Sequence, residues 1–100
     1  MHVVAFINKE YRQKLTLETL QKQFYISKNT LCRRFQEQMN CSPIQYVTHI
    51  RLNKAKMYLS STDKSVSEIA ELCGFPSANY LGIIFKKQIG ISPLNYRKKR

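Results

Sequence analysis

Apolar positions along this chain recur at three- and four-residue steps, the spacing of one face of an α-helix. His2–Arg12 carries Val3, Val4, Ile7 and Tyr11 in that pattern, which predicts a first amphipathic helix that Gln13–Leu15 breaks. Thr16 is placed to cap a second helix, with Glu18 in its first turn and Leu17, Leu20 and Phe24 as its buried stripe. Tyr25-Ile26-Ser27 interrupts the pattern, and Ser27 predicts the N-cap of a third helix to about Met39, with Leu31, Phe35 and Met39 inward. Asn40-Cys41 ends it. Ser42-Pro43 restarts the chain, with proline at the first helical position, where its missing N–H costs nothing. The fourth helix is predicted to about Leu59, with Val47, Ile50, Ala55, Tyr58 and Leu59 apolar. At 1.5 Å per residue it spans about 25 Å, enough to hold its flanks apart.

After the polar joint Ser60–Lys64, Ser65-Val66-Ser67-Glu68 has the spacing of a capping box, and Val66, Ile69, Ala70 and Cys73 face inward. Gly74 supplies the positive φ of a tight turn. Ser77 caps a sixth helix with Leu81, Ile84, Phe85 and Ile89 inside, Gly90 stops it, and Ser92-Pro93 opens a short seventh helix ending in Arg97–Arg100. The expected class is all-α, with seven helices.

The two halves repeat at an offset of 50. Setting Leu15–Tyr46 over Ser65–Tyr96 without gaps gives nine identities: Glu18/Glu68, Ser27/Ser77, Asn29/Asn79, Leu31/Leu81, Phe35/Phe85, Gln38/Gln88, Ser42/Ser92, Pro43/Pro93 and Tyr46/Tyr96. Average composition would give roughly two. Each copy has a short helix, a tight turn, a longer helix and a Ser-Pro restart, the order of a helix-turn-helix unit. The expected organisation is one domain over 1–100: subdomain 1 over about 1–42, a linker helix over about 43–59 and subdomain 2 over about 65–100.

Charge points to the partner. Seventeen basic residues against six acidic give a net charge of +11, more than solubility needs, so nucleic acid is the first partner to test. Cys32, Cys41 and Cys73 are odd in number and lack C-x-x-C spacing, against a disulfide framework or a zinc ribbon and in keeping with a reducing cytoplasm. No cofactor, metal site, signal peptide or membrane span is expected, and no catalytic constellation is present among the residues.

In a helix-turn-helix the second helix enters the major groove, and its first turns meet base edges. If Leu31 and Phe35 face the core, Asn29, Cys32, Arg33 and Gln36 face away. Arginine can bond guanine O6 and N7, and Asn or Gln adenine N6 and N7, so that face is suited to reading sequence. The corresponding residues of the second copy are Asn79, Gly82, Ile83 and Lys86. Two accounts fit them: close backbone approach to DNA at Gly82 with Ile83 on a thymine methyl, or a weak second reader held to phosphates by Lys86 and Lys87. Phosphate contacts are expected from Lys28, Arg34, Lys86, Lys87 and the caps Ser27 and Ser77. Arg51, Lys54 and Lys56 read as solvated charges, and Arg97–Arg100 as either a tail or a phosphate clamp.

The stretch Val66–Arg97, with S-E-I-A-E-L-C-G-F, N-Y-L, F-K-K, G-I-S-P and Y-R, closely resembles the signature of the AraC/XylS family of bacterial transcription regulators. The first half, with L-T-L-E-T-L, S-K-N-T-L and R-L-N-K-A-K-M-Y-L, resembles the less regular half of the same domain. The resemblance implies two helix-turn-helix subdomains joined by a long helix, binding double-stranded DNA in successive major-groove segments. By position it implies base contacts at Asn29, Cys32, Arg33, Gln36, Asn79, Gly82 and Ile83. It also implies activation of transcription, with RNA polymerase as a further partner. Since most members carry a separate sensing or oligomerisation domain, the chain is expected to be either a small stand-alone regulator or the DNA-binding piece of a larger protein, and a monomer as a domain on its own. Three departures from the family pattern stand out: Gly82-Ile83 where a polar pair is usual, Arg34 where an apolar residue is usual, so that the first recognition helix is expected to roll slightly, and a first turn without glycine at Phe24-Tyr25.

Two other readings are distinguishable. A sequence-indifferent coating protein would bind random sequence equally well, and it needs exposed aromatic platforms. A redox module would depend on Cys32.

Overall fold

Each side chain that the sequence offers as a helix cap opens a helix in the structure. The computed structural model describes residues 2–99; Met1 and Arg100, the ends of the expected 1–100 domain, lie outside the described residues. Among the described residues the chain forms seven helices and no strand: α1 (His2–Glu10), α2 (Leu17–Phe24), α3 (Lys28–Met39), α4 (Pro43–Ser61), α5 (Val66–Cys73), α6 (Ala78–Ile89) and α7 (Pro93–Lys98). Thr16, Ser27, Ser65, Ser77 and Ser92 each accept a bond from the backbone N–H three residues on. Ser42 does the same for α4, accepting from Gln45 N–H at 3.1 Å while its own N–H donates to Gln45 Oε1 at 2.9 Å.

The predicted capping box shifts place. Ser65 Oγ accepts from Glu68 N–H at 3.1 Å, but the glutamate carboxylate accepts from the serine hydroxyl at 3.4 Å instead of from its backbone. A reciprocal pair forms at Thr16 and Thr19, with bonds of 2.9 and 3.1 Å, as it does at Ser42 and Gln45. A short threonine hydroxyl at the third helical position reaches the cap N–H as well as a glutamate does.

The chain divides into two compact units, the first ending at Ile50 and the second starting at Arg51. The first has Ile7, Leu20, Leu31, Phe35 and Val47 at its centre, and the second Leu52, Ala55, Leu59, Ile69, Cys73, Leu81 and Phe85. α4 serves both, with Val47 in one core and Leu52, Ala55 and Leu59 in the other. Leu52 replaces Ile50 and Tyr58 as a fully committed core position, and those two are only half-buried. In each unit a phenylalanine of the longer helix meets the tyrosine after the Ser-Pro restart: Phe35–Tyr46 at 5.8 Å and Phe85–Tyr96 at 5.4 Å between ring centroids.

The repeat is real but not gap-free. α3 and α6 begin 50 residues apart, at Lys28 and Ala78, whereas α2 and α5 begin 49 apart, at Leu17 and Val66. The extra residue lies in the second turn. One residue, Ile26, separates the left-handed Tyr25 from the cap Ser27, and two, Phe75 and Pro76, separate the left-handed Gly74 from Ser77. The turns close alike, with Ile26 N–H donating to Gln21 O at 3.2 Å and Phe75 N–H to Ala70 O at 2.9 Å. The identity Glu18/Glu68 is therefore not structural: Glu18 is the second residue of its helix and Glu68 the third. The buried equivalents are Leu20 and Ile69.

Two arginines are less solvated than their charge suggests. Arg97 Nε donates to Leu59 O at 3.2 Å and its Nη2 to Thr62 O at 3.1 Å, so it binds carbonyls at the end of α4 and is not part of a free tail. Arg51 is half-buried, not solvated; burial lowers its pKa, and the neighbouring Tyr80 and Cys73 oppose that shift. Its guanidinium stays charged at any physiological pH.

Candidate nucleic-acid interface

α3 and α6 present the same face outward. Leu31 and Phe35 on one, Leu81 and Phe85 on the other, are fully buried at matching positions. Arg34 sits exposed in solvent, while its equivalent Ile84 is half-buried against the second core. Leu31 and Phe35 anchor α3, and Met39, half-buried one turn on, packs against the same core.

On α3, Asn29, Arg33 and Gln36 are exposed along the side opposite the core, and Cys32 lies at its edge, half-buried. Arg33 Nε lies 3.9 Å from Glu37 Oε1, an exposed pair one turn apart that fixes the guanidinium only weakly. Gln36 Nε2 donates to Asn40 Oδ1 at 3.2 Å. Both contacts are to solvent-exposed neighbours, and both groups can be redirected to an incoming partner without leaving a buried atom unpaired. Lys28 and Arg34 stand exposed on the flanks.

On α6, Asn79 and Ile83 are exposed at the positions of Asn29 and Arg33, and Gly82 is half-buried at that of Cys32. Lys86 and Lys87 are exposed in the last turn, where they also complement the helix dipole. The caps are engaged as caps: Thr30 N–H donates to Ser27 Oγ at 3.3 Å, and Tyr80 N–H to Ser77 Oγ at 3.0 Å. Each helix start keeps further backbone N–H groups with no intrahelical acceptor, which is the arrangement that receives phosphate.

Sequence reasoning missed two residues. Tyr80, assigned to no site, is 47% exposed one turn before Ile83, and its ring centroid is 6.3 Å from that of Phe75. Tyr25, in the first turn, is 96% exposed at φ 51°. The i, i+3 step from Tyr80 to Ile83 could have flagged the first; nothing local flagged the second. The three cysteines are free thiols, with Cys73 buried and Cys32 and Cys41 half-buried. Among the described residues no helix is long and apolar enough to cross a membrane, and no group of histidine, cysteine or carboxylate side chains could hold a metal ion.

Comparison with known proteins places these helices in a family. A helix-turn-helix domain model matches residues 20–99. The transcriptional regulator YdiP of Escherichia coli is 34% identical over 97 residues, covering 97% of this chain and 32% of that protein. The transcriptional activator RhaS of Klebsiella pneumoniae is 32% identical over 98 residues, covering 98% of this chain and 35% of RhaS. This chain thus spans about a third of the length of these curated relatives. Among solved structures, the C-terminal domain of AraT, a response regulator from Geobacillus stearothermophilus, superposes with a TM-score of 0.95 at 35% identity, over 99% of this chain and 83% of that one. The DNA-binding domain of the transcriptional factor AdpA, in complex with a target DNA, superposes with a TM-score of 0.92 at 35% identity, over 98% of this chain and 88% of that one.

Proposed function

Because the chain belongs to the AraC/XylS family of helix-turn-helix transcription regulators, we propose that α3 and α6 bind specific double-stranded DNA from successive segments of the major groove. The observation that carries this reading is the exposed row Asn29, Arg33 and Gln36 on the outer face of α3, in a chain of net charge +11. Arg33 offers a fork to guanine O6 and N7, and Asn29 and Gln36 offer amides to adenine. On α6 the base-facing set is Asn79, Gly82 and Ile83. Cys32 completes the first set from its edge.

Phosphates are held by Lys28, Arg34, Lys86 and Lys87 and by the N–H groups beside Ser27 and Ser77. Four cationic contacts correspond to a slope of about −4 in log K against log salt. The chain is a DNA-binding module, not an enzyme, and it acts in the cytoplasm as a monomeric domain of a regulator. RhaS, by name an activator, supports activation over repression, with RNA polymerase as the further partner.

The test is selection of bound sites from random duplex DNA, repeated with Arg33→Ala and with Ile83→Ala. Each variant is expected to lose preference in one half-site and keep it in the other. Enrichment of no motif by the unaltered chain rules out sequence-specific binding.

A further inference from the structure

We infer that the second unit selects thymine by apolar contact, using Ile83 with Tyr80 beside it, while the backbone at Gly82 comes close to the base edges. This rests on the proposed placement of α6 in a major groove, and it goes further by naming the base chemistry that α6 accepts. Ile83 is 59% exposed at the centre of the outward face and Tyr80 is 47% exposed one turn before it, where the first unit has Arg33 and Thr30. Lys86 and Lys87 follow the pair by one turn, exposed, so the apolar spot has cationic charge on its C-terminal side, suited to a polyanion. The thymine methyl is the one methyl group on a major-groove edge, and an isoleucine, which cannot hydrogen-bond, finds no comparable apolar contact on adenine, guanine or cytosine.

Gly82 supplies the independent observation. A Cβ added there meets nothing within 4 Å, so no packing within the chain calls for glycine. Nor does the backbone, because the positive-φ glycines are Gly74 and Gly90. Glycine is nonetheless the least favourable helix residue after proline. A position that is open in the free protein and still lacks a side chain is one where something outside the chain comes close.

The experiment uses the selected site and replaces its thymines one at a time with deoxyuridine, which removes only the methyl. In the half-site whose preference Ile83→Ala abolishes, loss of a contacted methyl is expected to weaken binding about four-fold. Ile83→Ala should bind the thymine and deoxyuridine sites alike. Gly82→Ala should fold with an unchanged or higher melting temperature and bind at least ten-fold more weakly. Full tolerance of deoxyuridine in that half-site, with its base preference intact, overturns the apolar reader and leaves specific binding standing. A selection without any enriched motif overturns both. Unchanged or tighter binding by Gly82→Ala removes the close approach.

Discussion

The first unit closes its turn on Tyr25 at φ 51°, and the second on Gly74 at φ 88°. The same carbonyl is reached from the residue after each, so the left-handed turn is required by the fold and not by the residue that supplies it. Outside the turn the units agree at the serine caps of the longer helices and of the restarts, the buried Leu-Phe pair, the Phe-Tyr contact and the buried proline after each restart. They part on the outward face, where Thr30, Arg33 and Glu37 stand opposite Tyr80, Ile83 and Lys87. A duplicated scaffold keeps what folds it and is free to change what it touches.

The strongest way to break this comparison is to empty one core and watch the other. Phe35→Ala and Phe85→Ala each remove a fully buried ring, a change that typically costs about 3–5 kcal/mol. A unit of some 50 residues has little stability to lose. Each variant is therefore expected to lose hydrogen-exchange protection in its own unit first, at residues of α1–α3 for Phe35 and of α5–α7 for Phe85. Simultaneous loss over both units in either variant would mean that α4 makes them one cooperative body. Next in size is the outward face. Arg33→Ala is expected to cost about 1–3 kcal/mol in affinity for the selected site and to relax it at one base pair, measured by titration at fixed salt. An equal loss on random DNA would reduce Arg33 to a phosphate contact.

The turns come next. An L side chain in the left-handed region costs about 1–2 kcal/mol relative to glycine. Gly74→Ala is expected to lower stability by about that amount, and Tyr25→Gly to raise it by about 1 kcal/mol, both read from thermal unfolding. If Tyr25→Gly destabilises, the exposed ring holds the turn through contacts that its 96% exposure argues against.

The fold was legible in the chain because its caps are explicit and its apolar steps regular; Thr16, Ser27, Ser65, Ser77 and the two Ser-Pro pairs mark six of the seven helix starts. The shifted register was not, because Glu18/Glu68 is a chance identity that spans the extra turn residue and so conceals it. Leu52 was missed because α4 passes from one core to the other between Ile50 and Arg51, and a single periodic stripe cannot describe a helix that serves two cores. A polarity pattern places every guanidinium in solvent, whereas the long apolar stem lets Arg51 lie half-buried and lets Arg97 bond backbone carbonyls. On the outward face, geometry put Asn29, Arg33 and Gln36 in the right direction from the buried Leu-Phe pair alone. Tyr80 escaped because an aromatic residue at helical spacing is ordinarily core.

The smallest expected effect concerns the one acid on the outer face of α3. Glu37 stands one turn from Arg33, 3.9 Å away, where the second unit has Lys87 beside Ile83. An exposed i, i+4 pair of this kind contributes only a few tenths of a kcal/mol to the helix. Glu37→Gln should therefore change the stability by less than about 0.5 kcal/mol. Its effect on DNA runs the other way, since the variant frees Arg33 and removes a negative charge facing phosphates. The expected gain in affinity is about two- to five-fold at low salt, shrinking as salt rises. A fall in affinity confined to sites with one particular base pair would instead mean that Glu37 accepts a bond from cytosine N4. In that case the acid is a reader itself, and the contrast between the two faces is one of hydrogen bonding against apolar contact, with charge only its by-product.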